Sequence, residues 1–108
     1  MEEDAVLDAG LSVMRKLADG EYEDVYDMLR ADVREETTAA ELGGLMENAA
    51  DGLGAAGEVT DTMVTGVTDT DEPHAIAVIR VKYGKKSVYF RIAFDTDMQL
   101  IGLEIKRK

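Results

Sequence analysis

Residues 75–94, AIAVIRVKYGKKSVYFRIAF, constrain the fold more than any other stretch of the chain. They form two alternating apolar runs joined by Gly84 and Lys85. Glycine at the first position of a two-residue loop suits a type II′ turn, whose twist matches the strands it joins. Closing the chain there pairs Tyr83 with Lys86. On one side Val81 then faces Val88, Ile79 faces Phe90, Ala77 faces Ile92 and Ala75 faces Phe94. Arg80 with Tyr89, Val78 with Arg91 and Ile76 with Ala93 fall on the other. Side chains alternate along a strand, so one apolar and one mixed face define a half-buried hairpin. Such a platform needs helices to cover it.

The first half of the chain supplies them. Val6, Leu7, Leu11, Met14, Leu17 and Ala18 recur at helical spacing over residues 3–18. Glu2, Glu3 and Asp4 at the start and Arg15 and Lys16 at the end suit the helix dipole. Gly20 can take the left-handed conformation that stops the helix. A short second helix is expected in EYEDVYDMLRADV, with Tyr22, Val25, Tyr26 and Leu29 on one face. Thr38-Ala39-Ala40-Glu41 fits a capping box and opens a third, which continues through Leu42, Leu45, Met46, Ala49 and Leu53. Each glycine inside a helix costs about 1 kcal/mol relative to alanine. Gly43, Gly44, Gly52 and Gly54 therefore mean either close packing on the sheet or a helix that frays after Asp51.

A first strand is expected over residues 58–68, with Val59, Asp61, Met63, Thr65 and Val67 on one side. Asp69, Asp71 and Pro73 turn the chain into the hairpin. Asp95-Thr96-Asp97-Met98 turns it into a last strand, LIGLEIKRK. Helices followed by strands predict an α+β fold: three N-terminal helices packed on a four-stranded antiparallel sheet, all in one domain of 108 residues.

Composition removes several function classes. Without cysteine there is no disulfide, thiolate nucleophile or thiolate metal site. Residues 1–72 carry 20 acids against 4 bases, and residues 73–108 carry 3 acids against 8 bases. A surface so acidic repels phosphates, so no nucleic-acid partner is expected. No apolar run approaches the roughly 20 residues of a membrane span, so no membrane insertion is expected. MEEDAVLDAG lacks the basic start and apolar stretch of a signal peptide. A signal removed upstream of Met1 would leave the same sequence, so export and a cytoplasmic location both stay open.

Few residues suggest chemistry. His74, the single histidine, follows Pro73 in a turn and has no orienting partner in the sequence. The aspartates of Asp69-Thr70-Asp71-Glu72 and Asp95-Thr96-Asp97 lack the ligand order and glycine of a calcium loop and suit turns anyway. No metal and no cofactor are expected. Asp61 falls on the apolar side of the first strand, between Val59 and Met63. Buried there without a partner, it would have a raised pKa and could act as a base or hydrogen-bond donor. On an edge strand it would be solvated.

GEYEDVYDML (residues 20–29) and AFDTDMQLIGLEI (residues 93–105) resemble the helical motif and closing hairpin of a family of bacterial domains of unknown function, number 3887. That family is placed in the nuclear-transport-factor-2-like, or SnoaL-like, superfamily. The resemblance extends over the helix at residues 38–53 and the strand order. It implies a cystatin-like cone: a curved antiparallel sheet wrapping helices around a cavity. Family members occur as small exported proteins or appended to hydrolase domains, without an established activity. Isomerases and cyclases of the superfamily place a carboxylate in the cone, which draws attention to Asp61. Two departures stand out: the third helix lacks the family's tryptophan, and Met98 stands where the closing loop calls for a left-handed glycine.

Three functions follow as expectations. The first is a non-enzymatic module binding a small hydrophobic ligand or a protein, with Tyr22, Tyr26, Met46, Asp61 and Met63 lining the pocket. The second is a small isomerase, cyclase or dehydratase using Asp61 with Tyr22 or Tyr26. The third is a structural dimerisation module. A three-residue loop after Asp95 would pair Phe94 with Leu100. Ile101, Leu103 and Ile105 would then join Ile76, Val78, Tyr89 and Ala93 on the face away from the helices, building a patch for a homodimer. A loop of two or four residues would send them into the core.

Overall fold

The hairpin forms in the register that its turn dictates. A computed structural model describes residues 2–108. In it β2 (His74–Tyr83) and β3 (Lys86–Asp95) pair from Tyr83↔Lys86 to His74↔Asp95 without a slip. Gly84 has φ +60°, and among the described residues Met98 is the one non-glycine with positive φ. Positive φ at the first turn residue and not the second is the type II′ pattern. Ala77, Ile79, Val88, Phe90 and Ile92 are fully buried on the inner face.

β1 (Val59–Val67) and β4 (Leu100–Arg107) flank the hairpin, giving an open antiparallel sheet in the order β1-β2-β3-β4. The helices cover one face, so the molecule is α+β with two layers. α1 (Glu3–Ala18) has the expected bounds and lies across β1, β2 and β3. Val6, Val13 and Leu17 on its buried stripe are inaccessible to solvent. Gly10 belongs to that stripe, and a Cβ there would lie 2.8 Å from the Ala77 Cβ. Only glycine allows the helix to sit this close to the strand. Beyond α1, Gly20 takes φ +77° and stops the helix.

The expected second helix is divided. α2 (Tyr22–Met28) ends at Leu29, whose extended backbone bridges to Leu100 at the start of β4. A single turn, α3 (Ala31–Arg34), follows, so the described chain has four helices rather than three. α4 (Ala39–Ala50) starts where the capping box predicts, with the Thr38 hydroxyl accepting from the Glu41 amide at 3.1 Å. Close packing holds for one of its glycines but with another partner, and the helix ends at Ala50, just before Asp51. Gly43 permits close packing, though against the Tyr22 ring and not the sheet. Gly52 and Gly54 lie beyond the helix with φ +72° and +80°. Arg107 holds the far end, its guanidinium donating to the carbonyls of Ala49 and Asn48. A cation at a helix C-terminus is favoured by the dipole.

Two β-bulges overturn two expectations. In β1 the register passes from Val59↔Val81 to Asp61↔Arg80, leaving Thr60 as the extra residue. Val59 stays opposite a core residue, while Asp61, Met63, Thr65 and Val67 turn to the outer face. Thr62 and Val64 take the inner positions opposite Ile79 and Ala77. In β4 the three-residue loop forms as expected, with Phe94 opposite Leu100 and the Asp95 amide donating to the Gln99 carbonyl. Ile101 is then an extra residue: Ala93 pairs with Gly102, Ile92 with Leu103 and Phe90 with Ile105. Leu103 and Ile105 therefore pack against the core, not on the outer face. One inserted residue reverses every side chain after it, because the side-chain period of a strand is two.

The closing loop also needs a residue in the left-handed conformation. Met98 supplies it, at φ 63°. The Asp95 carboxylate secures the loop from inside, accepting from the amides of Asp97 and Gln99 at 3.0 and 2.8 Å. Arg30 donates to Asp95, Glu72 and Asp32, tying the α2–α3 junction to two loops at once. Burial pushes the Asp95 carboxyl up. The amides and the Arg30 guanidinium outweigh it and hold the group below the usual carboxylate range.

Candidate functional site

Two helices end at the same place. The C-terminal turn of α1 (Leu17, Ala18), the C-terminal half of α4 (Met46, Glu47, Ala50) and the end of β2 (Tyr83) converge on a cleft of about 560 Å³. The loop from Asp51 to Ala56 forms one wall and Tyr22 of α2 another. The inner residues are apolar, with Leu17, Met46 and Tyr83 each less than a tenth exposed. Asp19, Glu47 and Asp51 bring carboxylates to the rim, and no lysine or arginine lines the cleft.

The tyrosines add neutral polar groups to the cleft. Gly43 sets the position of Tyr22: a Cβ on that glycine would stand 2.9 Å from two carbons of the ring. Tyr83 ends the inner stripe of β2 and is only 3 % exposed. Among the described residues its hydroxyl has no hydrogen-bond partner. No side-chain polar atom in them is both fully enclosed and unpartnered, so this hydroxyl opens onto the cleft. Burial pushes the Tyr83 phenol up, and the neighbouring Tyr22 pushes it the same way. It is therefore neutral at physiological pH and can both donate and accept a hydrogen bond.

Of the five pocket residues expected from the sequence, Tyr22 and Met46 line this cleft. Tyr26 does not, and its hydroxyl donates to the Arg34 carbonyl at 3.0 Å, fastening α2 to α3. Asp61 and Met63 lie on the opposite face of the sheet, both exposed. The bulge at Thr60 puts them there, and the expectation of an inward Asp61 is corrected. His74 sits at the other end of the sheet, with Nδ1 2.9 Å from the Glu72 carbonyl. Among the described residues no three His, Cys, Asp or Glu side chains are grouped to hold a metal, and no helix is long and apolar enough to cross a membrane. Tyr83 was missed by the sequence reading. The signal was a single phenol ending the otherwise aliphatic stripe Ala75, Ala77, Ile79, Val81.

The outer face is graded. Met63, Val67, Ile76, Val78 and Ala93 share one end, and Arg80, Lys82, Tyr89 and Lys106 share the end near the hairpin turn. The cations of Arg80 and Lys108 each lie 5.9 Å from the centre of the Tyr89 ring.

A solved structure shares this fold: the NMR structure of a protein from Ruminococcus gnavus ATCC 29149. It matches with a TM-score of 0.79 at 17 % identity, covering 95 % of this chain and 90 % of that one. No curated protein matches the sequence. The family model described as "Protein of unknown function (DUF3887)" matches residues 11–103, and this chain belongs to that family.

Proposed function

We propose that this protein is a non-enzymatic module that holds a small organic molecule in the cleft between α1, α4 and the end of the hairpin. The observation that carries this reading is Tyr83: a nearly buried phenol with no protein partner among the described residues, facing a concave site whose inner residues Leu17 and Met46 are apolar. Small-molecule sites join apolar side chains to a few convergent polar groups, and this cleft offers both. Helices gathered on one face of an antiparallel sheet, with a cleft at one end, also suit the nuclear-transport-factor-2-like cone. The enzymatic alternative loses its carboxylate, since Asp61 is exposed on the far face, and of its two tyrosines Tyr26 is committed to Arg34 while Tyr22 remains in the cleft. Native mass spectrometry of the purified protein tests the proposal by detecting a retained small molecule. Ala55→Trp, on the exposed wall of the cleft, should fill the site and abolish retention. A protein that carries nothing and gains no stability from any member of a fragment library would refute it.

A homodimer through the outer face is the second reading, and Met63 favours it. This side chain is 56 % exposed, beside Val78 and near Ile76. With Leu103 and Ile105 turned inward, the patch is confined to the end of the sheet away from Arg80 and Lys82. Met63→Lys should convert a dimer to a monomer in sedimentation velocity, and an unchanged sedimentation coefficient would remove the reading.

A further inference from the structure

We infer that the cleft selects a cationic ligand, an organic ammonium with an apolar body. The inference rests on the reading of the cleft as a small-molecule site and specifies the charge it takes. Three independent features point to positive charge. Asp19, Glu47 and Asp51 stand on the rim, and no cationic side chain lines the cleft to neutralise them. Lys16, on the last turn of α1, is directed to Asp24 at 3.5 Å. α1 and α4 both end here, at Ala18 and Ala50, and the C-terminal end of a helix carries partial negative charge. Arg107 offsets part of that charge at the α4 end, donating to the carbonyls of Asn48 and Ala49 from outside the cleft lining.

The third feature is aromatic. Tyr22 and Tyr83 are the rings of the site, and a ring face attracts an ammonium group. The free Tyr83 hydroxyl oxygen can accept an N–H from the ligand, for which the protein supplies no substitute. Met46, Ala50, Ala55 and Ala56 then contact an apolar body. A carboxylate or phosphate ligand would meet the rim carboxylates with no cationic side chain in the lining, so the same site discriminates against anions.

Three probes of similar shape and different charge test this: phenethylamine, phenethyl alcohol and 3-phenylpropionate. Each is titrated at low and physiological salt, and binding is located by amide chemical shifts. The amine should bind about tenfold more tightly than the alcohol, with the acid weakest, and its lead should shrink as salt rises. The double variant Glu47→Gln/Asp51→Asn should weaken the amine about three- to tenfold and leave the alcohol unchanged. Tyr83→Phe should weaken the amine while preserving the fold, read from the same spectra. Equal binding of amine and alcohol, preference for the acid, or indifference to the double variant would overturn cation selectivity while leaving a small-molecule site intact. Failure of all three probes to shift cleft amides at millimolar concentration would also overturn it. The cleft as a binding site is judged separately, by retention in native mass spectrometry and its loss in Ala55→Trp.

Discussion

Replacing Gly10 with alanine measures how closely α1 is seated on the sheet. The added methyl would lie 2.8 Å from the Ala77 Cβ and 3.4 Å from the Ile79 Cδ1. Carbon atoms in contact settle at about 3.5–4.0 Å, so the helix has to lift by roughly 1 Å. The Ile79 side chain can turn away, whereas the Ala77 Cβ is fixed to the strand and cannot. Val6, Val13 and Leu17 would rise from the sheet with the helix, and all three are fully buried. Overpacking of this kind costs about 1–3 kcal/mol, and the rigid neighbour places this site in the upper half of that range. Alanine recovers about 1 kcal/mol of helix propensity, leaving a net loss of about 1–2 kcal/mol. That corresponds to a fall in Tm of roughly 4–8 °C per kcal/mol for a domain near this size. Gly44→Ala is the control, because a Cβ there meets no atom within 4 Å. It should gain about 0.5–1 kcal/mol from propensity alone. Urea denaturation followed by far-ultraviolet circular dichroism reads both variants. If Gly10→Ala is as stable as the wild type or more so, the close approach of α1 to β2 is wrong.

Three further outcomes are expected. The folded-state pKa of Asp95 is depressed, so its contribution to stability is present above the unfolded carboxylate pKa and lost as pH falls through the folded value. Asp95→Asn, which keeps an acceptor for the Asp97 and Gln99 amides, should be less stable than wild type near neutral pH. The gap should close as pH falls through the folded value, and a gap independent of pH would show that the charge is irrelevant. At position 98 the left-handed backbone favours glycine, so Met98→Gly should exceed Met98→Ala in stability by about 1 kcal/mol, the reverse of the order in a helix. Equal urea midpoints would remove the argument. Leu103→Lys should cost about 1–3 kcal/mol without changing the assembly state, because Leu103 packs opposite Ile92 on the core side. A variant as stable as wild type would return Leu103 to the outer face.

Much of this molecule could be read from local patterns. The α1 stripe, its stop at Gly20, the Thr38 cap and the complete β2–β3 register each depend on residues close in sequence. Steric and hydrogen-bonding preferences act at that range, so the sequence by itself determines those elements. The three-residue loop after Asp95 was legible through the family resemblance and not from the residues alone, and it forms with Met98 in the position that calls for glycine.

Tertiary structure alone decided what faces what beyond the hairpin. Thr60 and Ile101 carry no mark as bulge residues, yet each reverses the strand that follows. The first bulge sends Asp61 out of the core and ends its candidacy as an internal base. The second brings Leu103 and Ile105 in and shrinks the apolar outer face. A strand pattern records a period of two but not a one-residue slip in it, and the slip is settled by which pairing best buries the apolar side chains against the helices. The candidate site shows the same limit. Leu17, Tyr22, Met46 and Tyr83 are far apart in the chain, and each reads as an ordinary core position. Their cleft exists because α1 and α4 end beside the last residue of β2, a coincidence in space that no local pattern encodes.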